Sequence, residues 1–199
     1  MKKIVAFDFD GTITRKDTLL EFIKFARGLK AFCIGMLHYS PVLLAYKFKL
    51  YSNWKAKQLI FSYFFKGMPL VDFNMICDQF FARRGVDLLY TSAVKQINEH
   101  LDRQAEVLII SASVENWVRP FAHYLGIKNV LCTRLEVDEK GNLTGRFATF
   151  NCYGQEKVNR LAAIYPERRK FYLIAYGDSR GDRELLALAD EKYYKLFRK

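Results

Sequence analysis

No acidic residue occurs between Glu21 and Asp72. Lys24, Arg27, Lys30, Lys47, Lys49, Lys55, Lys57 and Lys66 fall in that gap, interleaved with aromatics, within a chain of net charge +11. Three readings of the stretch stand side by side. It is a solvated basic helical surface, a face that meets an anionic membrane or anionic substrate, or a nucleic-acid surface. No binding signature accompanies the charge, so no specific nucleic acid is expected.

Other absences narrow the class further. The four cysteines (Cys33, Cys77, Cys132, Cys152) show no CxxC spacing and no secretory signal, so reduced thiols packed as small apolar groups are expected. Met1-Lys2-Lys3 leads straight into a first strand, which leads us to expect a cytoplasmic protein without a targeting peptide. The span from Leu29 to Tyr51 is broken by Lys30, His38, Pro41, Lys47 and Lys49. It therefore lacks the roughly 20 uninterrupted apolar residues of a membrane helix. A helix lying in the membrane interface and an ordinary amphipathic helix both remain open. There is no internal repeat or low-complexity tract.

What is present reads as α/β. Half of the 199 residues are apolar and 16% are aromatic, enough for one domain with an insertion. Buried strands are expected at Lys3 to Phe7, Ala105 to Ile110 and Phe171 to Tyr176, with a last strand at Tyr193 to Phe197. Helices are expected from Asp87 to His100, Val114 to Leu125 (closed by Gly126), Gln155 to Tyr165 and Arg183 to Ala189. Thr133 to Phe150 alternates about Glu-Lys-Gly-Asn like a β-hairpin. From Thr18 to Arg84 the pattern is helical, with breaks near Ser40-Pro41, Ser52-Asn53 and Gly67-Met68-Pro69. The expected fold is a doubly wound, Rossmann-like parallel sheet with an inserted all-helical cap and a β-hairpin flap. Residues 1–15 and 86–199 form its core and residues 16–85 its cap.

Chemistry concentrates at the strand ends. Ile4-Val5-Ala6-Phe7 runs into Asp8-Phe9-Asp10-Gly11-Thr12, placing two carboxylates at the carboxyl edge where open α/β sheets bind ligands. Paired carboxylates there need neutralising, and an oxygen-only set suits Mg²⁺. Ser111 follows the second strand and Asp178 the third, with Asp182 four residues on. Lys157 stands near the start of a helix. Each feature alone is weak, and their order together is specific. Asp182 also reads as a helix cap, and Ser113 reads first as the cap of the helix at Val114.

These residues resemble the haloacid dehalogenase superfamily, in its phosphoserine-phosphatase-like branch (subfamily IB) with a helical cap after the first strand. Four motifs carry the resemblance: Asp8-Phe9-Asp10-Gly11-Thr12-Ile13-Thr14, Ser111-Ala112-Ser113, Lys157, and Gly177-Asp178-Ser179-Arg180-Gly181-Asp182. Leu143-Thr144-Gly145 and Asn151-Cys152-Tyr153-Gly154 are similar to an uncharacterised subgroup of that branch. The resemblance implies a Mg²⁺-dependent phosphomonoester phosphatase with Asp8 as nucleophile, through an aspartyl-phosphate, and Asp10 as acid and base. It also implies metal binding by Asp8, the Asp10 backbone carbonyl, Asp178 and Asp182. Phosphate binding would fall to Gly11, Thr12, Ser111, Ala112 and Lys157.

Two positions depart from the branch. Phosphoserine phosphatases carry a glutamate where this chain has Asp17, which could bind a substrate amine or cap the helix at Thr18. They carry an asparagine where this chain has Gly181. The implied substrate is a small phosphorylated metabolite. The alternatives are a lipid phosphate such as phosphatidylglycerol phosphate, a non-catalytic phospholigand-binding module, and a nucleic-acid-binding protein.

Overall fold

In chain order the elements are β1 (Lys2–Phe7), α1 (Thr18–His38), α2 (Ser40–Lys47), α3 (Asn53–Phe65) and α4 (Leu70–Phe80). A π-helical turn at Phe81–Gly85 leads into α5 (Val86–Leu88), α6 (Thr91–Asp102), β2 (Glu106–Val114), α7 (Glu115–Tyr124) and β3 (Asn129–Thr133). Then come β4 (Leu135–Val137), β5 (Leu143–Phe147), α8 (Gln155–Ile164), β6 (Phe171–Gly177), α9 (Arg183–Leu188) and β7 (Glu191–Tyr194). This is a computed structural model that describes residues 1–48 and 50–198. Lys49 of the basic stretch lies outside them.

Five strands form one sheet in the order β3-β2-β1-β6-β7, every pairing parallel. The pleat divides their side chains between two faces. Val5, Phe7, Val107, Ile109 and Tyr176 join one apolar cluster with Ile97 of α6 and Trp117 of α7. Ile4, Ala6, Leu108, Ile110 and Leu173 join another with Leu161 of α8 and Leu185 of α9. Both faces are covered, which is why the strands read as near-continuous apolar runs.

The helices from α1 to α4 are inserted between β1 and β2 and share the first cluster. The Phe22 ring packs on Phe65, Phe73, Phe80 and Trp117 with centroids 5.2–5.5 Å apart. The β4–β5 hairpin holds the same helices from the other side: Phe147 N donates to Gln58 Oε1 (3.0 Å) and Gly67 N to Leu143 O (2.8 Å). Among the described residues no helix is long and apolar enough to cross a membrane.

Several boundaries differ from the sequence reading. The strand expected to end at Ile110 runs through Ser111-Ala112-Ser113 to Val114, its register shifting between Ser111 and Val114. The helix expected from Asp87 begins at Thr91, because Leu88 O and Tyr90 N are drawn to Arg15 N (2.8 Å) and Ile13 O (2.9 Å) of the loop after β1. The final strand is Glu191–Tyr194 rather than Tyr193 to Phe197, in register with Ile174 to Gly177. β3 is a parallel strand that no sequence pattern announced. Gly28, with φ of 79°, kinks α1 within what reads as one helix. The three expected breaks among the inserted helices occur, and Gly126 closes α7 at φ of 71°. Of the cysteines, Cys77, Cys132 and Cys152 are buried and unpaired, whereas Cys33 is exposed.

Candidate active site

The strand order places the chemistry. β1 is central, flanked by β2 and β6, and the chain leaves it toward opposite edges of the sheet, which opens a crevice beyond the strand ends. Asp8 N donates to Tyr176 O (2.9 Å), holding the first carboxylate beside the end of β6. The N–H groups of Thr12, Ile13 and Thr14 then converge on Phe9 O (3.3, 2.9 and 3.0 Å) in a tight turn.

Gly11 makes that turn at φ of 78°, and a Cβ added there would lie 2.5 Å from Asp178 Oδ2. Gly11→Ala is therefore expected to cost about 1–2 kcal/mol in backbone strain and to push Asp178 aside. Chemical denaturation should register the strain.

Three buried carboxylates, Asp8, Asp178 and Asp182, each offer an oxygen within 4.8 Å of the others. Lys157, in the first turn of α8 and 2% exposed, donates to Asp8 Oδ1 and to Asp182 Oδ1, both at 2.6 Å. The remaining Asp182 oxygen accepts from Asp178 N (3.1 Å), Ser179 N (2.9 Å) and Ser179 Oγ (2.8 Å). Asp182 thus closes a capping box with Ser179 and makes no side-chain cap to α9. Asp178 Oδ2 pairs with Arg198, its Oδ1 is buried without a hydrogen-bond partner among the described residues, and its carboxyl interacts with that of Asp8. Two carboxyls in contact are satisfied only by a shared proton or a cation.

The electrostatics follow. Burial, with the charges of Asp182 and Asp10 behind it, raises Asp8 to about 7 against the opposing pull of Lys157. Burial also raises Asp178, which Arg198 opposes. Burial would raise Asp182 as well, but Lys157 and the Ser179 donors outweigh it and hold that carboxyl low. Burial works against the Lys157 ammonium, yet Asp8 and Asp182 more than offset it and hold the amine protonated.

Asp10 is built differently. Its Oδ1 accepts from Thr18 N (2.8 Å) and Thr18 Oγ1 (2.6 Å), and its Oδ2 accepts from Ser113 Oγ. Trp117 Nε1 donates to Thr18 Oγ1 (3.1 Å), so an indole fixes the hydroxyl that fixes the acid. Burial, then the Asp17 charge, raises Asp10. Its side chain is spent on these donors and stands apart from the three-carboxylate group.

Ser111, 2% exposed, accepts at Oγ from Ser113 N (3.2 Å), leaving its own O–H to donate. Ala112 O takes Lys57 Nζ (2.9 Å) and Thr133 Oγ1 (3.0 Å). Thr12 Oγ1 is buried without a hydrogen-bond partner among the described residues. Asp17 is exposed and caps α1, accepting from Leu20 N at 3.2 Å, which is the helix-capping reading of that position. A Cβ at Gly181 would lie 2.5 Å from the Tyr153 ring, which occupies the space beside it.

The sequence reading misjudged one participant and gave no site role to three more. Ser113 does not cap α7, whose N-cap is Val114; it donates to Asp10 instead. Its place in Ser-Ala-Ser was a signal that could have found it. Thr18 and Lys57 are brought in by the inserted helices, and Arg198 by the C-terminal segment, with no local pattern to mark them. All of these line or support a cleft of about 630 Å³, walled on the insertion side by Leu19, Leu20, Met36, Leu43, Ala56 and Ile60.

Residues 5–187 match the family model of haloacid dehalogenase-like hydrolases. The chain belongs to that family. It is 36% identical over 196 residues to Protein CicA of Caulobacter vibrioides, covering 98% of this chain and 86% of the relative. A probable phosphatase of Mycobacterium tuberculosis is 28% identical over 188 residues, covering 90% of this chain and 64% of that protein. Among solved structures, a Bordetella pertussis protein of unknown function superposes with a TM-score of 0.84 at 17% identity, over 96% of this chain and 89% of that one. A phosphoserine phosphatase carrying a phospho-aspartyl intermediate analogue gives 0.64 at 20% identity, over 96% and 85%. At these identities the structural likeness is one of fold. The family membership and the phosphatase relative together support a phosphatase.

Proposed function

We propose that this hydrolase is a Mg²⁺-dependent phosphomonoester phosphatase that works through an aspartyl-phosphate on Asp8. The observation that carries the reading is the group of buried carboxylates Asp8, Asp178 and Asp182 around the Lys157 ammonium, with Asp178 Oδ1 left without a hydrogen-bond partner among the described residues. An all-oxygen donor set with an orphaned carboxylate oxygen suits a hard divalent cation. Asp8, Asp178 and the Asp10 backbone carbonyl would hold it, with Asp182 as an orienter through Asp178 N and Lys157. Bound Mg²⁺ would neutralise the repulsion between carboxylate and phosphate dianion and stabilise the charge that develops in transfer.

The remaining work belongs to the chain itself. The Asp8 carboxylate attacks phosphorus, forming an acyl phosphate as the bond to the substrate oxygen breaks. Asp10, whose proton affinity burial raises and whose carboxyl Thr18 and Ser113 aim, gives a proton to that leaving oxygen. It then takes a proton from the water that cleaves the acyl phosphate, which returns both carboxyls to their starting state. Lys157, the Ser111 hydroxyl, Gly11, Thr12 and Ala112 supply positive charge and donors to the phosphoryl oxygens. Residues 16–85 act as the cap over this core, and the reaction takes place in the cytoplasm.

The substrate in this reading is a small phosphorylated metabolite. An amine-bearing, phosphoserine-like one would have to draw on Asp17, whose carboxylate already caps α1. The apolar insertion side of the cleft favours a second reading, a lipid phosphate such as phosphatidylglycerol phosphate. Phosphate release from a panel of phosphorylated metabolites and lipids, with Mg²⁺ or with EDTA, tests both. Turnover that disappears on chelation, together with a hydroxylamine-sensitive acyl phosphate on the quenched protein, is expected. Turnover in EDTA would reject the metal, and a phosphate held elsewhere than on an aspartate would reject the intermediate.

A further inference from the structure

We infer that the outer faces of α1 and α2 form a docking surface for an anionic phospholipid bilayer. Beyond the Gly28 kink, the exposed positions of α1 recur every four residues, at Leu29-Lys30, Cys33-Ile34 and Leu37-His38, which makes one stripe. The exposed side of α2 and the residues after it carries Leu44, Lys47 and Phe48. Leu37 is 74% exposed, Phe48 70% and Leu50 81%. Large apolar side chains gathered in this way on a folded surface mark an interaction site rather than ordinary exposure.

Charge decides the occupant. Residues 22–71 hold no carboxylate, so Lys30 and Lys47 stand among the apolar side chains with no acidic neighbour from their own segment. Apolar groups beside lysines of a segment that holds no acid suit a layer of anionic headgroups above acyl chains. A second copy of the chain suits it poorly, because a two-fold contact would set the same lysines against each other. No described helix is able to cross the membrane, so these helices would lie along it. The same two helices turn Met36 and Leu43 inward to the cleft. Docking would therefore bring the site close to the headgroups. The inference goes beyond the phosphatase reading and stands without it, since docking requires no turnover.

Sedimentation of the full chain with phosphatidylcholine vesicles, with and without phosphatidylglycerol, tests it. The protein is expected to sediment with the mixed vesicles and to stay in solution with phosphatidylcholine alone. The pairs Leu37→Glu with Phe48→Glu, and Lys30→Glu with Lys47→Glu, are expected to lower partitioning by about tenfold or more. Their melting temperatures should not change, because all four side chains are exposed. Should a pair melt early, Leu37→Gln alone decides by the same loss. Asp8→Asn is expected to bind vesicles like the native chain, which separates docking from chemistry. Equal sedimentation with both vesicle types, none with either, unchanged binding of the variants, or a dimer that these variants dissolve would each overturn the assignment.

Discussion

Asp8→Asn is expected to lower phosphate release by at least about 10⁴-fold, the scale on which nucleophile removal acts in covalent catalysis, while leaving the protein folded. The amide oxygen still accepts from Lys157, as Asp8 Oδ1 does at 2.6 Å, so the frame of the site is kept. The amide N–H can donate to Asp178 Oδ1, which has no donor in the native site. In EDTA the variant should therefore be more stable than the native chain. That advantage has a pH signature, because the folded carboxyl titrates near 7 instead of 3.8. Below about pH 4 both folded and unfolded Asp8 are protonated and the two proteins differ little. As pH rises from about 4 to about 7 the unfolded chain ionises Asp8 while the fold holds it neutral, so the native protein loses stability and the gap in melting temperature should widen, levelling off above about 7. Retained turnover would reject Asp8 as nucleophile. A gap that narrows with rising pH would reject the electrostatics.

Lys157→Met is expected to have the largest effect on stability. The native ammonium is the one described side-chain cation bonded to both Asp8 and Asp182, and all three groups are nearly inaccessible to water. Taking one partner from a buried ionic cluster costs about 3–5 kcal/mol, because the charges left behind stay desolvated and unpaired. For a domain of this size each kcal/mol moves the melting temperature by about 2–4 °C. In EDTA at neutral pH the variant should thus melt roughly 10 °C below the native chain. The deficit should shrink in acid, where the carboxyls protonate, and Mg²⁺ should restore part of it. Turnover should not return with the fold, because the phosphoryl oxygens have lost their buried cation. A variant as stable as the native protein in EDTA would mean that the cluster is not held by charge pairing.

The carboxylates Asp8 and Asp178 were legible in the sequence because each follows an apolar run. Asp8 and Asp178 stand immediately after β1 and β6, where a buried strand meets solvent and the pattern changes abruptly. Lys157, whose place at the start of α8 says little alone, was legible through the order of the motifs and the resemblance they carry. Ser113 was misjudged because a serine before a helical pattern has the look of a cap, while β2 in fact runs on past it into the crevice. β3 went unseen because a five-residue edge strand beside a hairpin leaves no periodicity of its own. The start of α6 was displaced by hydrogen bonds to the loop after β1, a partner more than 70 residues away along the chain.

By itself the sequence determined the alternation of strands and helices, the helical insertion after β1, and the acids at the strand ends. Local patterning is sufficient there, since burial period and turn chemistry are properties of neighbouring residues. Tertiary structure alone decided which groups surround those acids. The parallel order that sets β1 between β2 and β6 joins Asp8 to Asp178, the insertion brings Thr18 to Asp10 and Lys57 to Ala112, and Arg198 returns from the chain's far end to pair with Asp178. Such contacts rest on the pairing of distant segments, and an ionisable group takes its charge state from whatever that pairing puts beside it.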